Sequence, residues 1–229
     1  MDRKLSIDLL KIVMALFVVG IHVNPFAAFG PDTNILLGGG LYRIAVPVFF
    51  VVNGYFLESL ARAGGTQRYV LRVLGLYAIW TALYLPAWYG VIANPEPWPL
   101  LRTLVMGWWQ LWYLPGLALA AVLAALVRDL PLQRLILVMA LALLAGVAIT
   151  YAMAFDLIHP SKRYFGDATV LHRNGLFVGF PFLMSGMLIR QYRLEDRYSL
   201  RFLAALAGFG LILVLAESLF LFLVAPKGG

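Results

Sequence analysis

Cysteine is absent from the 229 residues, which excludes disulfides, thiolate metal sites and cysteine nucleophiles. Charge is scarce too: charged residues make up 13% of the chain, with only 11 Asp and Glu. The three histidines, His22, His159 and His172, include no His-x-x-x-His pair, so a metal reading has no ligand spacing to rest on. No glycine-rich phosphate loop is present; Gly38-Gly39-Gly40 reads as a flexible turn ahead of a helix. Internal repeats and low-complexity tracts are lacking. Apolar residues, by contrast, reach 62% with a mean hydropathy of +0.87. No soluble domain of this length hides that much apolar surface. The chain is therefore expected to be an all-α polytopic membrane protein. Its first segment reads as a retained span, because no small-residue cleavage site follows His22. The net charge of +7 reports topology and contact with anionic lipid, with no call for nucleic acid.

About seven apolar segments have the length of a span: 6–24, 41–61, 71–93, 107–127, 133–155, 174–190 and 200–224. Pro47, Pro86, Pro115 and Pro181 fall inside them and are expected to kink or unwind the helix locally. Seven spans place 12 of the 18 Lys and Arg on the side of the N-terminus and six on the other; the richer side is cytoplasmic by the positive-inside rule. Arg3, Lys4, Lys162, Arg163 and Lys227 enter that count.

This topology sorts the unusual polar residues into two levels. At the inner level are Asp8, Lys11, Arg68 and Arg72. Arg68 and Arg72, spaced i, i+4, point the same way and can grip phosphate oxygens with their forks; snorkelling to lipid headgroups also accounts for them. At the outer level are His22, Arg43, Trp112, Tyr113, His172, Arg173, Asn174 and Glu217. His22 lies about 21 Å along the helix from Asp8 at the helical rise, and only about 20° around the axis from Lys11. Glu217 lies about 24 Å beyond Arg201, near the depth of His22. A carboxylate that orients an imidazole is a recurring general-base arrangement. His22 alone also reads as an interfacial histidine, Trp112 and Tyr113 as an aromatic belt, and Asn53 near the midplane as helix–helix glue.

Several stretches together resemble the acyltransferase-3 family of membrane O-acyltransferases. Ile7-Asp8-Leu9-Leu10-Lys11, with His22 eleven residues after the basic position, is similar to the family's Asp-x-Leu-Arg and following histidine. Arg43-Ile44-Ala45-Val46-Pro47-Val48-Phe49-Phe50-Val51-Val52-Asn53-Gly54-Tyr55-Phe56 resembles its second helix. Arg68-x-x-x-Arg72 followed by Tyr77 and Trp80, Leu111-Trp112-Tyr113-Leu114, and Arg173-Asn174-Gly175-Leu176-Phe177 continuing to Gly186 follow in the family's order. Lys11 stands where arginine is usual, giving a point charge in place of a planar fork. The family has roughly ten membrane helices against about seven spans here, so the chain reads as an N-terminal portion of that fold.

The resemblance implies transfer of an acyl group, acetyl foremost, from cytoplasmic acyl-CoA to a hydroxyl of a cell-envelope sugar or lipid-linked glycan. It implies no bound cofactor, with acyl-CoA as the donor substrate, and a place in the bacterial inner membrane; an oligomer is left open. Lys11, Arg68 and Arg72 are expected to meet the donor's phosphates. His22, with Glu217, is expected to be the base, and Arg43, Asn53, Trp112, Tyr113 and Arg173 to serve the acceptor or the oxyanion. Two other readings compete: a transporter or channel, since intramembrane His, Glu, Asn and Arg on proline-broken helices also describe substrate pathways, and a non-catalytic membrane module of a longer protein.

Overall fold

A computed structural model describes residues 5–23, 25–29, 35–93, 96–161 and 168–224. Arg3, Lys4, Lys162, Arg163 and Lys227, counted above for orientation, lie outside the described residues. Among the described residues there is helix and no strand. In chain order the helices are α1 (Leu5–Val23), α2 (Ala45–Arg62), α3 (Thr66–Leu83), α4 (Leu85–Ala93), α5 (Pro97–Met106), α6 (Tyr113–Val127), α7 (Leu132–Ala154), α8 (Phe180–Tyr192), the single turn α9 (Leu194–Arg197) and α10 (Leu200–Val224).

Five helical stretches are long and apolar enough to cross a membrane, and six if the pair α3 and α4, bent by 76°, counts as one. The chain is thus a multi-pass helical membrane protein, with five or six such spans by length and composition where seven were expected. The expected span at 174–190 is not among them. It is a π-helical turn, Gly175–Gly179, followed by the 13-residue α8. This is one of the most enclosed elements, with Leu183, Met184 and Met187 fully buried. Its glycines, proline and serine lower its hydropathy, and they are also what lets neighbouring helices approach it closely.

The four intraspan prolines explain the other irregularities. Each sits in the first turn of a helix, where the missing N–H has no intrahelical partner to lose. Just ahead of each, the chain leaves the α-helix. A 3-10 turn, Leu41–Ile44, precedes Pro47; the α3–α4 break at Tyr84 precedes Pro86; a 3-10 turn, Trp109–Trp112, precedes Pro115; and the π-turn precedes Pro181. Irregular backbone at membrane depth is tolerated where it is buried in protein or lines a cavity.

The most extensive packing joins α2 and α8, around Phe50, Leu57, Leu183 and Met184. Gly54 and Gly186 make it close: a Cβ on Gly54 would fall on the Leu183 carbonyl, and one on Gly186 on the Val51 carbonyl. α6 adds a small-residue face, with Ala120, Ala121 and Ala124 fully buried. Lipid is as apolar as leucine, so such close van der Waals contact, rather than apolar burial, holds membrane helices together. At the inner end, Arg190 Nη1 donates to Tyr55 Oη at 2.9 Å and Tyr55 Oη donates to Glu195 Oε1 at 2.6 Å. This polar clamp ties Tyr55, past the middle of α2, to the end of α8 and to α9.

Gly38-Gly39-Gly40 differs from the expected flexible turn. It belongs to a π-helical turn, Ile35–Gly40, against which α10 packs. A Cβ on Gly39 would come within 2.9 Å of Ser218 Oγ, so the glycines make room for α10.

Candidate functional site

The irregular turns ahead of the prolines deliver side chains to one place. A cavity of about 850 Å³ lies at the end of the bundle that the basic-residue count assigns to the outside. His22, in the last turn of α1, lines it, as do Arg43 from the 3-10 turn before α2 and Arg173 from the turn before the π-turn. Trp112 and Tyr113, at the start of α6, form another wall.

Arg102 also lines this cavity. In the sequence it is one of the six basic residues on the side away from the N-terminus. The signal available was a lone cation in the otherwise apolar α5, just before Gly107 and the Trp108-Trp109 pair. Tertiary contact sets its place: Tyr77 Oη, on α3, donates to the Leu104 carbonyl at 2.9 Å and to the Thr103 carbonyl at 3.2 Å. Both carbonyls lie in the last turn of α5, where the Thr103 carbonyl also accepts from the Gly107 N–H at 3.1 Å. The chain then reverses through Gly107 at φ +84° and Trp109 at φ +51°. Gly107 suits a positive φ; Trp109 is an uncommon occupant of that region.

Two asparagines hold the walls. Asn174 Oδ1 accepts from the N–H groups of Leu176 (2.9 Å) and Phe177 (3.0 Å), and its Nδ2 donates to the carbonyls of Val170 and Leu171, both at 3.1 Å. It caps the π-turn and fixes the backbone that carries Arg173. Asn174→Ala is expected to cost about 1–2 kcal/mol, the usual worth of such a cap, and Asn174→Asp is expected to destabilise as well, since it keeps the acceptor but turns an oxygen toward the Val170 and Leu171 carbonyls in place of the Nδ2 donor. Thermal unfolding in detergent measures both.

Asn53 lies behind the cavity wall. Its Nδ2 donates to the Phe49 carbonyl (2.9 Å) and to Tyr113 Oη (3.0 Å), and its Oδ1 accepts from Tyr69 Oη (3.0 Å). Both amide hydrogens are therefore committed. Tyr113 Oη acts as the acceptor from Asn53, which leaves its own hydrogen to be offered toward the cavity. Asn53 thus links α2, α3 and α6, and it touches the cavity through Tyr113.

The remaining expected site residues lie elsewhere. Glu217 does not pair with His22. It accepts from Tyr151 Oη, on α7, at 3.3 Å, while α10 packs on Ile35–Gly40 and Leu41–Ile44; depth along a helix does not set which neighbour a side chain faces. Its nearest tie to the cavity is an electrostatic attraction to Arg43, which in turn feels the repulsion of the like charge on Arg173. Lys11 sits 3.6 Å from Asp8 and over the Phe56 ring at 4.9 Å. Arg68 and Arg72 are exposed on α3, with no hydrogen bond or ion pair among the described residues. None of these three cations lines the cavity that His22 lines. His22 is exposed to the cavity and forms no hydrogen bond or ion pair among the described residues. No cluster of three His, Asp or Glu able to hold a metal occurs among them.

The cavity therefore combines one imidazole, three guanidinium groups, one phenol and an apolar aromatic wall. It can accept a proton, bind negative charge and exclude water from one face of a ligand. The fold and the site define a multi-pass helical membrane protein with a histidine and arginines facing a cavity at one end of the bundle. Within that class, the chain belongs to the acyltransferase-3 family, whose acyltransferase domain it matches over residues 4–226. It is similar to a serine/alanine racemase of Enterococcus gallinarum, with 28% identity over 224 residues, 89% of this chain and 32% of that protein. It is similar also to an amino-acid racemase of Enterococcus faecalis, with 29% identity over 136 residues, 54% of this chain and 19% of that protein. The chain thus spans about a third or less of the length of these curated relatives. No solved structure matches it.

Proposed function

We propose that this protein is a membrane O-acyltransferase that moves an acyl group, acetyl foremost, from cytoplasmic acyl-CoA to a hydroxyl of a cell-envelope sugar or glycolipid in the bacterial inner membrane. The observation that carries this reading is the convergence of His22, Arg43, Arg173 and Tyr113 on one cavity in a chain of the acyltransferase-3 family.

In the proposed reaction His22 removes the proton from the acceptor hydroxyl as its oxygen attacks the thioester carbonyl. Negative charge then develops on the carbonyl oxygen, where the Tyr113 hydroxyl or an arginine N–H donates to it. Collapse of the tetrahedral species breaks the C–S bond, and the departing thiolate takes the proton from the imidazolium. The products are an ester and free CoA. Lys11, Arg68 and Arg72 meet the donor's phosphates at the inner end, and the slender pantetheine arm spans the distance to His22. The test is acyl-CoA-dependent release of free CoA by purified protein, together with mass spectrometry of envelope glycans and lipids from hosts with and without it. A native acyl increment that needs His22 supports the reading; none, with folded protein present, sinks it.

Glu217→Gln is expected to lower turnover far less than the ~10²-fold that loss of a base-orienting carboxylate entails, since a glutamine oxygen still accepts from Tyr151. Rates of CoA release for the two proteins decide this.

One observation favours a second reading. The chain covers only 32% of a relative whose name describes amino-acid racemisation, so a non-catalytic membrane module of a longer protein also fits. Saturable binding of a desulfo-CoA analogue separates the two, since only the acyltransferase requires it.

A further inference from the structure

We propose that the ligand received by this cavity is an anion, a phosphate or carboxylate carried next to the reacting hydroxyl, and that Arg43 and Arg102 hold it, with Arg173 closing the site. The inference deepens the acyltransferase reading and rests on it only for the meaning of the hydroxyl.

Three guanidinium groups from separate elements, the 3-10 turn before α2, helix α5 and the turn before the π-turn, line one cavity, and no Asp or Glu is among the described residues that line it. Like charges gathered at one cavity repel one another, as Arg173 does Arg43. Arginines needed only for solubility or lipid contact would snorkel apart to the surface. Arg102 is instead held in place by the grip of Tyr77 on the carbonyls after it. Arg43 and Arg102 form no hydrogen bond or ion pair among the described residues, so their donors are uncommitted. Glu217 reaches Arg43 electrostatically but stands outside the cavity, so its charge is not interposed between the arginines. A guanidinium fork matches the planar edge of a carboxylate or two phosphate oxygens. Trp108, Trp109 and Trp112 supply the apolar wall, and the volume suits one sugar-sized ligand with its anionic group. The donor's own phosphates are a poorer source of this charge. With its thioester at His22, the pantetheine arm carries them away from the cavity.

The full chain in lipid nanodiscs is titrated, without any acyl donor, with glucose, glucuronate and glucose 1-phosphate, three ligands sharing a ring and differing in charge. Glucose 1-phosphate or glucuronate is expected to bind at least about ten-fold more tightly than glucose, and the stronger of the two identifies the anion. Arg102→Gln and Arg43→Gln should each weaken the anionic sugar about ten-fold or more, the usual worth of a charge-assisted hydrogen bond, and leave glucose unchanged. Arg102→Lys should lose less. Equal binding of the three sugars, no saturable binding of either anion, or an Arg102→Gln protein that keeps its anion affinity overturns the proposal. So does an Arg102→Gln protein that loses desulfo-CoA while keeping the sugar. Because no donor is present, the outcome is independent of catalysis. A missing anion preference beside His22-dependent CoA release rejects the anion site alone; anion binding without CoA release rejects the acyl-transfer reading alone.

Discussion

His22→Ala is expected to lower acyl-CoA-dependent turnover by about 10²–10⁴-fold, the contribution of a positioned general base, while the protein remains folded. The structure supports the second half of that expectation as much as the first. His22 ends α1 facing the cavity, and its side chain makes no hydrogen bond or ion pair among the described residues. Truncating it opens no core void and leaves no buried partner unsatisfied, so the usual routes to large destabilisation are absent. The measurement is CoA release, normalised to monodisperse protein of unchanged thermal midpoint. Unaltered turnover in such a protein removes His22 from the mechanism. A loss of both turnover and midpoint would contradict its placement at a free cavity wall.

The second large effect concerns assembly. Gly54→Ala and Gly186→Ala are each expected to cost about 3 kcal/mol or more, at or above the upper end for overpacking, because the added carbon meets backbone carbonyl oxygen rather than a side chain that can rotate away. Gly75→Ala is the internal control. Gly75 lies within α3 with nothing near its absent Cβ, and alanine in a helix interior gains about 0.5–1 kcal/mol over glycine. The same substitution is thus expected to lower the thermal midpoint at two positions and to hold or raise it at the third. Equal effects at all three would show that the α2–α8 approach is not close.

Much of the site was legible because the family motifs fall on the elements that build it. His22, Arg43, Trp112, Tyr113 and Arg173 were marked by residue type and shared depth, and all five line the cavity. Depth is readable because helical rise is constant. Azimuth between helices is not, and differences at the site arise there. Glu217 has the height of His22 but faces Tyr151. Arg102, one cation on a short amphipathic helix, joined the site only because α5 is tied to Tyr77 and the chain reverses through Gly107. The prolines behaved similarly. Their disruptive effect could be read from the residues, but that each would start a helix and leave the turn before it irregular depends on how the neighbouring helices close around it.

The sequence by itself determined that this chain is helical and membrane-embedded, since so apolar a chain can satisfy its backbone in lipid only within helices or a closed barrel. It also determined the family, through motifs local enough to read without a fold. Only the tertiary structure decided which polar groups meet. Packing of α2 on α8 through Gly54 and Gly186 sets the frame, and Asn53 and Asn174 then fix the Tyr113 and Arg173 walls. Contacts between residues dozens of positions apart arise from close approach of backbones and from donor–acceptor geometry, neither of which is written in the spacing along one helix.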